Sequence, residues 1–235
     1  MNILKLYLKK KERYFGDDMK TPRECSNKTC RNLLAAAVDV FAEKGYRDAT
    51  VAEICTRAKA NIAAVNYHFR DKENLYREAW RYAFSESIKA HPPDAGVSDA
   101  FPPEERLRGQ ITALLQRISD RKNKEFLIVI KEMTNPTGLL HEIMREMLHP
   151  LQRRMQTTIR ELLGPNSSDI QIQFCEISII SLCVNPMVLK KKGDRNAPPG
   201  IKDMPAYADH VVQFSLAGIR AVRDESKNKQ MRQRY

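Results

Sequence analysis

Glycine is scarce in this chain, at 9 of 235 residues. An all-β fold needs more glycine for its turns, so the scarcity weighs against one. No apolar stretch approaches the roughly 20 residues that span a bilayer. The longest near-apolar runs are Phe126–Ile130 and Ile177–Leu189, and Ser, Asn and Pro interrupt the second. The five cysteines (Cys25, Cys30, Cys55, Cys175, Cys183) are odd in number and scattered, so they read as reduced thiols. Met1–Leu8 is followed by Lys9, Lys10 and Lys11, the reverse of a signal peptide's charge order, and no small-residue cleavage site follows. The expectation is a cytoplasmic chain without a membrane span. Catalytic signatures are lacking too: there is no GxGxxG, P-loop or GxSxG. His141-Glu142-Ile143-Met144-Arg145 starts like a zinc-protease helix but has Arg where the second His belongs. Cys25 and Cys30 lack a second pair at zinc-finger spacing. No catalytic residue, metal or cofactor is expected.

What is present favours helices. Leu, Ala, Met, Lys, Arg and Glu are frequent, and the 42% of apolar residues suffices for a core. The length allows one or two domains. The formal charge is +11, which invites a nucleic-acid reading, but its location matters more than its size. Residues 1–31 hold nine Lys/Arg against four acids, and residues 220–235 hold six against two, so the ends carry nearly all the excess. Residues 51–100 balance seven against seven. Basic ends are either solvated tails or arms that flank DNA.

The periodicity predicts an all-α chain. A first helix runs from about Asn27 to Lys44, with Leu34, Ala37, Val38 and Phe41 on one stripe and Gly45 as its stop. A second starts after Thr50, where Thr50-Val-Ala-Glu53 forms a capping box. A third, about Ile62 to His68, is capped by Asn61, and Asp71 caps a fourth from Lys72 to about Lys89 with Leu75, Ala79, Tyr82 and Ala83 inward. Proline and glycine punctuate residues 91–102, where we place a linker. Five longer patterns follow: Glu104–Asp120, Lys124–Asn135, Leu139–Leu163, a helix after Ser168 to about Leu189, and Met204–Asp224. The expected plan is a basic arm (1–25), a helix-turn-helix domain (26–90), the linker, a C-terminal domain (103–226) and a basic tail (227–235).

Residues 50–69, TVAEICTRAKANIAAVNYHF, carry the functional signal. Val51, Ile54, Cys55 and Ala58 face Ile62 or Ala63 and Val65 across a three-residue turn, as a helix-turn-helix requires. A pair of amphipathic helices inside an all-α core is the plainer reading of the same pattern.

The wider context resembles the N-terminal DNA-binding domain of the TetR family of bacterial repressors. The matching blocks are Ala35-Ala36 with Phe41-Ala-Glu-Lys-Gly45-Tyr46, Thr50-Val-Ala-Glu-Ile54, Asn61 with Tyr67-His68-Phe69, and Asp71-Lys72-Glu73-Asn74-Leu75-Tyr76. They cover about a fifth of the chain. The string Asn61–Phe69, with Glu132-Met, Pro136-Thr137 and His149-Pro150-Leu151 further on, looks like the CecR-type subgroup. Three features depart from the pattern. Lys59 stands where the turn usually has Gly, and a non-Gly residue at positive φ costs roughly 1 kcal/mol. Asn66 replaces the family's commonest Tyr. Met19 precedes a family-like start at Lys20-Thr-Pro-Arg23, so residues 1–18 read as a private extension or an over-called start.

Roles follow for ten residues. Thr50 caps a helix whose N-terminus suits a phosphate. Lys59 can reach a phosphate. Asn61 caps the third helix and sits at its outer start. Asn66 can pair bidentately with adenine, and Ile62 or Ala63 can touch a thymine methyl. Tyr67 and His68 occupy positions that the resemblance gives to phosphate contact, with Tyr67 the outward one. Lys72 resembles the family's backbone-contacting lysine, and Arg31, with Lys28, can meet flanking phosphates. One short helix reads few bases, so a homodimer on a near-palindromic double-stranded DNA operator is expected. Its candidate surface is the helix 168–187, with Ile172, Cys175, Ile179 and Cys183 on one face and Ile177, Ile180 and Val184 on another, beside 204–224 with Ser215, Gly218 and Val222. The resemblance also implies a small-molecule effector, apolar or aromatic. Candidate lining residues are Phe126, Ile130, Met133, His141, Met144, Met147 and Phe174, although Met and Phe at this spacing equally make plain core. The expectation is a nucleoid-associated bacterial repressor released by its effector as the fourth helix swings. The rivals are an all-α ligand-binding module or enzyme without specific DNA binding, and an ungated architectural DNA binder.

Overall fold

The computed structural model describes residues 27–120, 122–188, 201 and 203–232. The expected arm, including Lys20, Arg23 and Cys25, lies outside them. Among the described residues there are nine helices and no strand. They are α1 (Lys28–Asp48), α2 (Val51–Ala58), α3 (Ile62–Phe69), α4 (Lys72–Ala90), α5 (Pro103–Ser119), α6 (Glu125–Thr134), α7 (His141–Leu163), α8 (Asp169–Val188) and α9 (Met204–Arg232). No described helix is long and apolar enough to cross a membrane. The all-α expectation holds.

Local chemistry explains the helix ends. The Asn27, Asn61 and Asp71 side chains accept from backbone N–H groups three residues on, at 2.8, 3.0 and 2.7 Å. Gly45, at φ 78° and ψ 179°, breaks the regular path of α1. Only glycine adopts that region readily, so the regular helix stops where the sequence predicts.

The chain gathers into two compact units. One joins the residues up to Ala90 with Asp120–Pro150, and the other joins His91–Ser119 with the residues from Leu151 on. Residues 120–150 thus gather with α1–α4. In that first unit α1 is covered by α2, α3, α4 and α6. This is why Leu33, Ala36 and Val40 are buried along with the expected stripe of Leu34, Ala37, Val38 and Phe41. Phe41 and Tyr76 meet edge-on at 4.7 Å, and Trp80 stacks on Phe84 at 5.3 Å. These rings fill the inner side of α4 beside Leu75, Ala79 and Ala83, which leaves Tyr82 half-buried instead of inward. Lys124 pairs with Asp39, and Ser87 donates to Glu125 at 2.6 Å.

In the second unit α5, α8 and α9 pack on one another. Leu107, Ile111, Leu115, Ile172, Ile179, Val211, Val212 and Ile219 are buried there. Gly109 is required by a close approach: a Cβ would stand 2.4 Å from the Asp94 carbonyl oxygen. Cys55 and Cys183 are buried free thiols and Cys175 is half-buried and free; burial pushes the Cys183 thiol up to about 12.

Candidate nucleic-acid interface

The pair α2–α3 is built from its caps and one left-handed residue. Thr50 Oγ1 accepts from the Glu53 N–H at 3.2 Å. The reciprocal half of the expected capping box is replaced, because the Glu53 carboxylate pairs with Lys44 at 2.7 Å and Arg57 at 2.8 Å. Lys59 takes φ 52° and ψ 45°, so the turn keeps its left-handed position without glycine. Its backbone N–H donates to the Thr56 carbonyl at 3.2 Å, and that of Ala60 to Cys55 at 2.9 Å. Cys55, Ala58 and Val65 are buried where the helices cross. Ile62 and Ala63, one of which was expected to close that crossing, both point outward.

The other side of α3 is therefore open. Asn61, Ile62, Ala63, Asn66 and Tyr67 are exposed, Ile62 at 53% and Tyr67 at 83%. A tyrosine that exposed gains little from core packing. His68 is half-buried, with its ring edge-on to Tyr67 at 4.9 Å. The Lys72 ammonium lies 4.4 Å over the Tyr46 ring and donates to the Arg47 carbonyl at 3.5 Å, which anchors the start of α4 to the end of α1. Burial lowers the Lys72 pKa, opposed by the Asp48 charge.

The balanced charge of this stretch hides an uneven distribution. Arg57 grips Glu43 through two N–H groups at 2.9 and 2.8 Å, holding the Glu43 carboxyl below its usual range. Arg77 pairs with Glu73 at 3.6 Å, and Arg81 with Glu78. The acids are thus largely neutralised by neighbours, and the exposed cations Lys28, Arg31, Lys59 and Arg70 have no ion pair among the described residues. Sequence reasoning missed Arg70, which follows α3 at φ 72° and ψ −51°, an unusual conformation for a side chain with a Cβ.

Two family models match this chain. Residues 33–79 match the bacterial regulatory proteins of the TetR family, and residues 103–219 match the C-terminal domain of the HTH-type transcriptional dual regulator CecR. The chain belongs to the TetR family of regulators. It is 28% identical over 155 residues to the HTH-type transcriptional dual regulator CecR of Shigella flexneri, covering 60% of this chain and 68% of that one. It is 27% identical over 165 residues to the HTH-type transcriptional repressor NicS of Pseudomonas putida, covering 67% and 75%. A TetR-family regulatory protein of Rhodococcus RHA1 shares the fold at a TM-score of 0.63 and 19% identity, over 82% of this chain and 97% of that one. The chain is a DNA-binding transcriptional regulator, and these relatives are regulators, not enzymes.

The expected effector residues of this TetR-family chain differ in exposure. Met133, His141 and Phe174 are exposed, Phe126, Ile130 and Met144 are half-buried, and Met147 is buried. Phe174 belongs to the second unit and the others to the first. A cavity of about 250 Å³ lies elsewhere, between Leu162–Ser167, Gln171, Arg223 and Ser226, and none of the candidates lines it.

Proposed function

We propose that this regulator is a homodimeric repressor that binds a near-palindromic operator and leaves it when a small apolar or aromatic effector binds. The observation that carries the reading is the open side of α3. Asn66 offers the bidentate pattern that adenine presents in the major groove, and Ile62 or Ala63 an apolar contact for a thymine methyl. Thr50, Lys59, Asn61, Tyr67, His68, Lys72 and Arg31 supply phosphate contacts and caps that set register. Relatives named as a repressor and a dual regulator support the repressing role.

A second copy is needed because one short helix selects few base pairs. Exposed apolar residues of α8 and α9 support the dimer. Ile170, Phe174 and Ile177 are 60%, 63% and 54% exposed, and Phe214 of α9 is 59% exposed. Ala217, Gly218 and Ala221 continue the outer side of α9. Of the two faces of α8 offered as dimer surface, the one with Ile172, Ile179 and Cys183 is buried and Cys175 on it is half-buried. Ser215, named from sequence on this surface beside Gly218 and Val222, is 6% exposed and turned inward, while Phe214 and Gly218 are exposed. Effector binding favours the state whose two reading helices are off the groove spacing of about 34–36 Å. A 100-fold loss of affinity corresponds to an effector preference of about 2.8 kcal/mol for that state.

The test is a mobility shift on the fragment upstream of the protein's own gene against random DNA, at about 150 mM salt. Specific retention that an apolar effector relieves is expected; equal retention of both DNAs contradicts the reading.

A further inference from the structure

The cavity of about 250 Å³ at the end of α7 lies wholly within the second unit. Its walls are the last turn of α7, the loop 164–167, the start of α8 and the end of α9. Gly164 turns that loop at φ 90°, and a Cβ there would meet nothing within 4 Å, so the space beside it is open.

Most of the wall is either apolar or already hydrogen-bonded. Leu162 and Leu163 are buried, and Pro165 is exposed at the rim. Gln171 Nε2 donates to Ser226 Oγ at 2.7 Å, and Gln171 Oε1 accepts from the Ser168 N–H at 3.0 Å. Ser226 in turn donates to the Val222 carbonyl at 2.9 Å, and Ser167 to the Gly164 carbonyl at 2.9 Å. These bonds join α8 to α9 and hold the loop in shape, so the cavity is formed without a ligand.

The two charged groups of the wall differ. Glu161 pairs with Arg106 of α5, which neutralises its carboxylate. Arg223 donates from Nε to Asp224 at 3.3 Å, and its two terminal amino groups have no ion pair among the described residues. The Arg223 side chain is 35% exposed, so it is partly withdrawn from water with those donors still open. Asp224 is 60% exposed, and water screens its charge. A planar guanidinium presents paired N–H groups that fit both oxygens of a carboxylate. The volume is below the roughly 300–1,000 Å³ of drug-sized sites, which limits the rest of a ligand to a short body. The leucines and the proline suit an apolar one.

We propose that this cavity binds a small monocarboxylate with a short apolar body, its carboxylate held by the terminal amino groups of Arg223. The site is separate from the outer side of α3 and shares no residue with the expected effector set. It holds whether or not the chain binds DNA.

The experiment is calorimetric titration of the full chain with benzoate and with hexanoate, which share a head group and differ in body. Benzamide and hexanamide, which lack the charge, are the controls. At least one carboxylate is expected to bind once per chain with a Kd at or below about 1 mM, and at least about tenfold more tightly than its amide. Arg223→Gln should weaken it by at least about tenfold, and Arg223→Lys, which keeps the charge without the fork, by at least about threefold. Arg220→Gln, at an exposed position one turn earlier on α9, should leave binding unchanged. Circular dichroism checks that each variant is folded, and Arg223→Lys decides the matter if Arg223→Gln does not fold. The proposal is overturned if neither carboxylate binds, if an amide binds as tightly as its acid, if a folded Arg223 variant keeps wild-type affinity, or if Arg220→Gln loses as much.

Discussion

The outer side of α3 and the outer sides of α8 and α9 expose the same kind of side chain. Ile62 and Tyr67 stand out from one, and Ile170, Phe174, Ile177 and Phe214 from the other. Their surroundings differ. On α3 the apolar groups alternate with Asn61, Asn66 and the half-buried His68, and cations follow at Arg70 and Lys72. On α8 and α9 the exposed neighbours are mixed: Ser178, Ala217, Gly218 and Ala221 are small, while Asp169, Gln173 and Gln213 are polar and the His210 ring lies 6.2 Å from that of Phe214. Exposed apolar area by itself therefore does not name a partner. Its polar company does: under the proposed function the first surface suits a polyanion with a methyl-lined groove, and the second suits a copy of itself.

The largest effect that separates the two comes from charging the second surface. Phe174→Asp combined with Phe214→Asp should give a monomer by sedimentation and weaken operator binding more than about 100-fold, while α3 is untouched. A double variant that stays dimeric removes the assigned role of this face. Asn66→Ala should cost about 1–3 kcal/mol at one base pair of each half-site and leave other positions unaffected, read by a single-substitution operator series. Lys72→Ala should weaken all sequences evenly and reduce the salt slope by about one per copy, whereas the Asn66 variant keeps the slope. The smallest effect has two signs. Lys59→Gly relieves a left-handed non-glycine residue, so the melting temperature should rise by about 2–4 °C for roughly 1 kcal/mol, while DNA affinity falls slightly. A fall in both would show that Lys59 is held there by packing instead.

Much of this contrast is readable in the sequence where the interactions are local. Thr50, Asn61 and Asp71 cap helices through backbone groups three residues away, and Lys59 takes the turn position that glycine usually fills. The two faces of α8 follow from helical spacing alone. What was not readable depends on distant partners. Asp39 meets Lys124 across 85 residues and Tyr76 meets Glu132 across 56, so the segment 120–150 joins the N-terminal helices against its place in the chain. Glu53 matched a capping box by spacing, but Lys44 and Arg57 compete for its carboxylate from other turns. Residue type and spacing, which point to the effector candidates, do not distinguish a pocket wall from an exposed stripe; Met133 and Phe174 are exposed. The formal charge of +11 was a poor guide as well, since the α2–α3 region is near neutral and its acids are mostly paired with their own neighbours.

The most direct measurement is selection of DNA from a random pool by the full chain, followed by sedimentation of the complex at about 150 mM salt. One enriched near-palindromic site is expected, with half-sites about one helical turn apart and two copies of the protein bound together. An unenriched pool, or a single copy bound with undiminished affinity to one half-site, would contradict it.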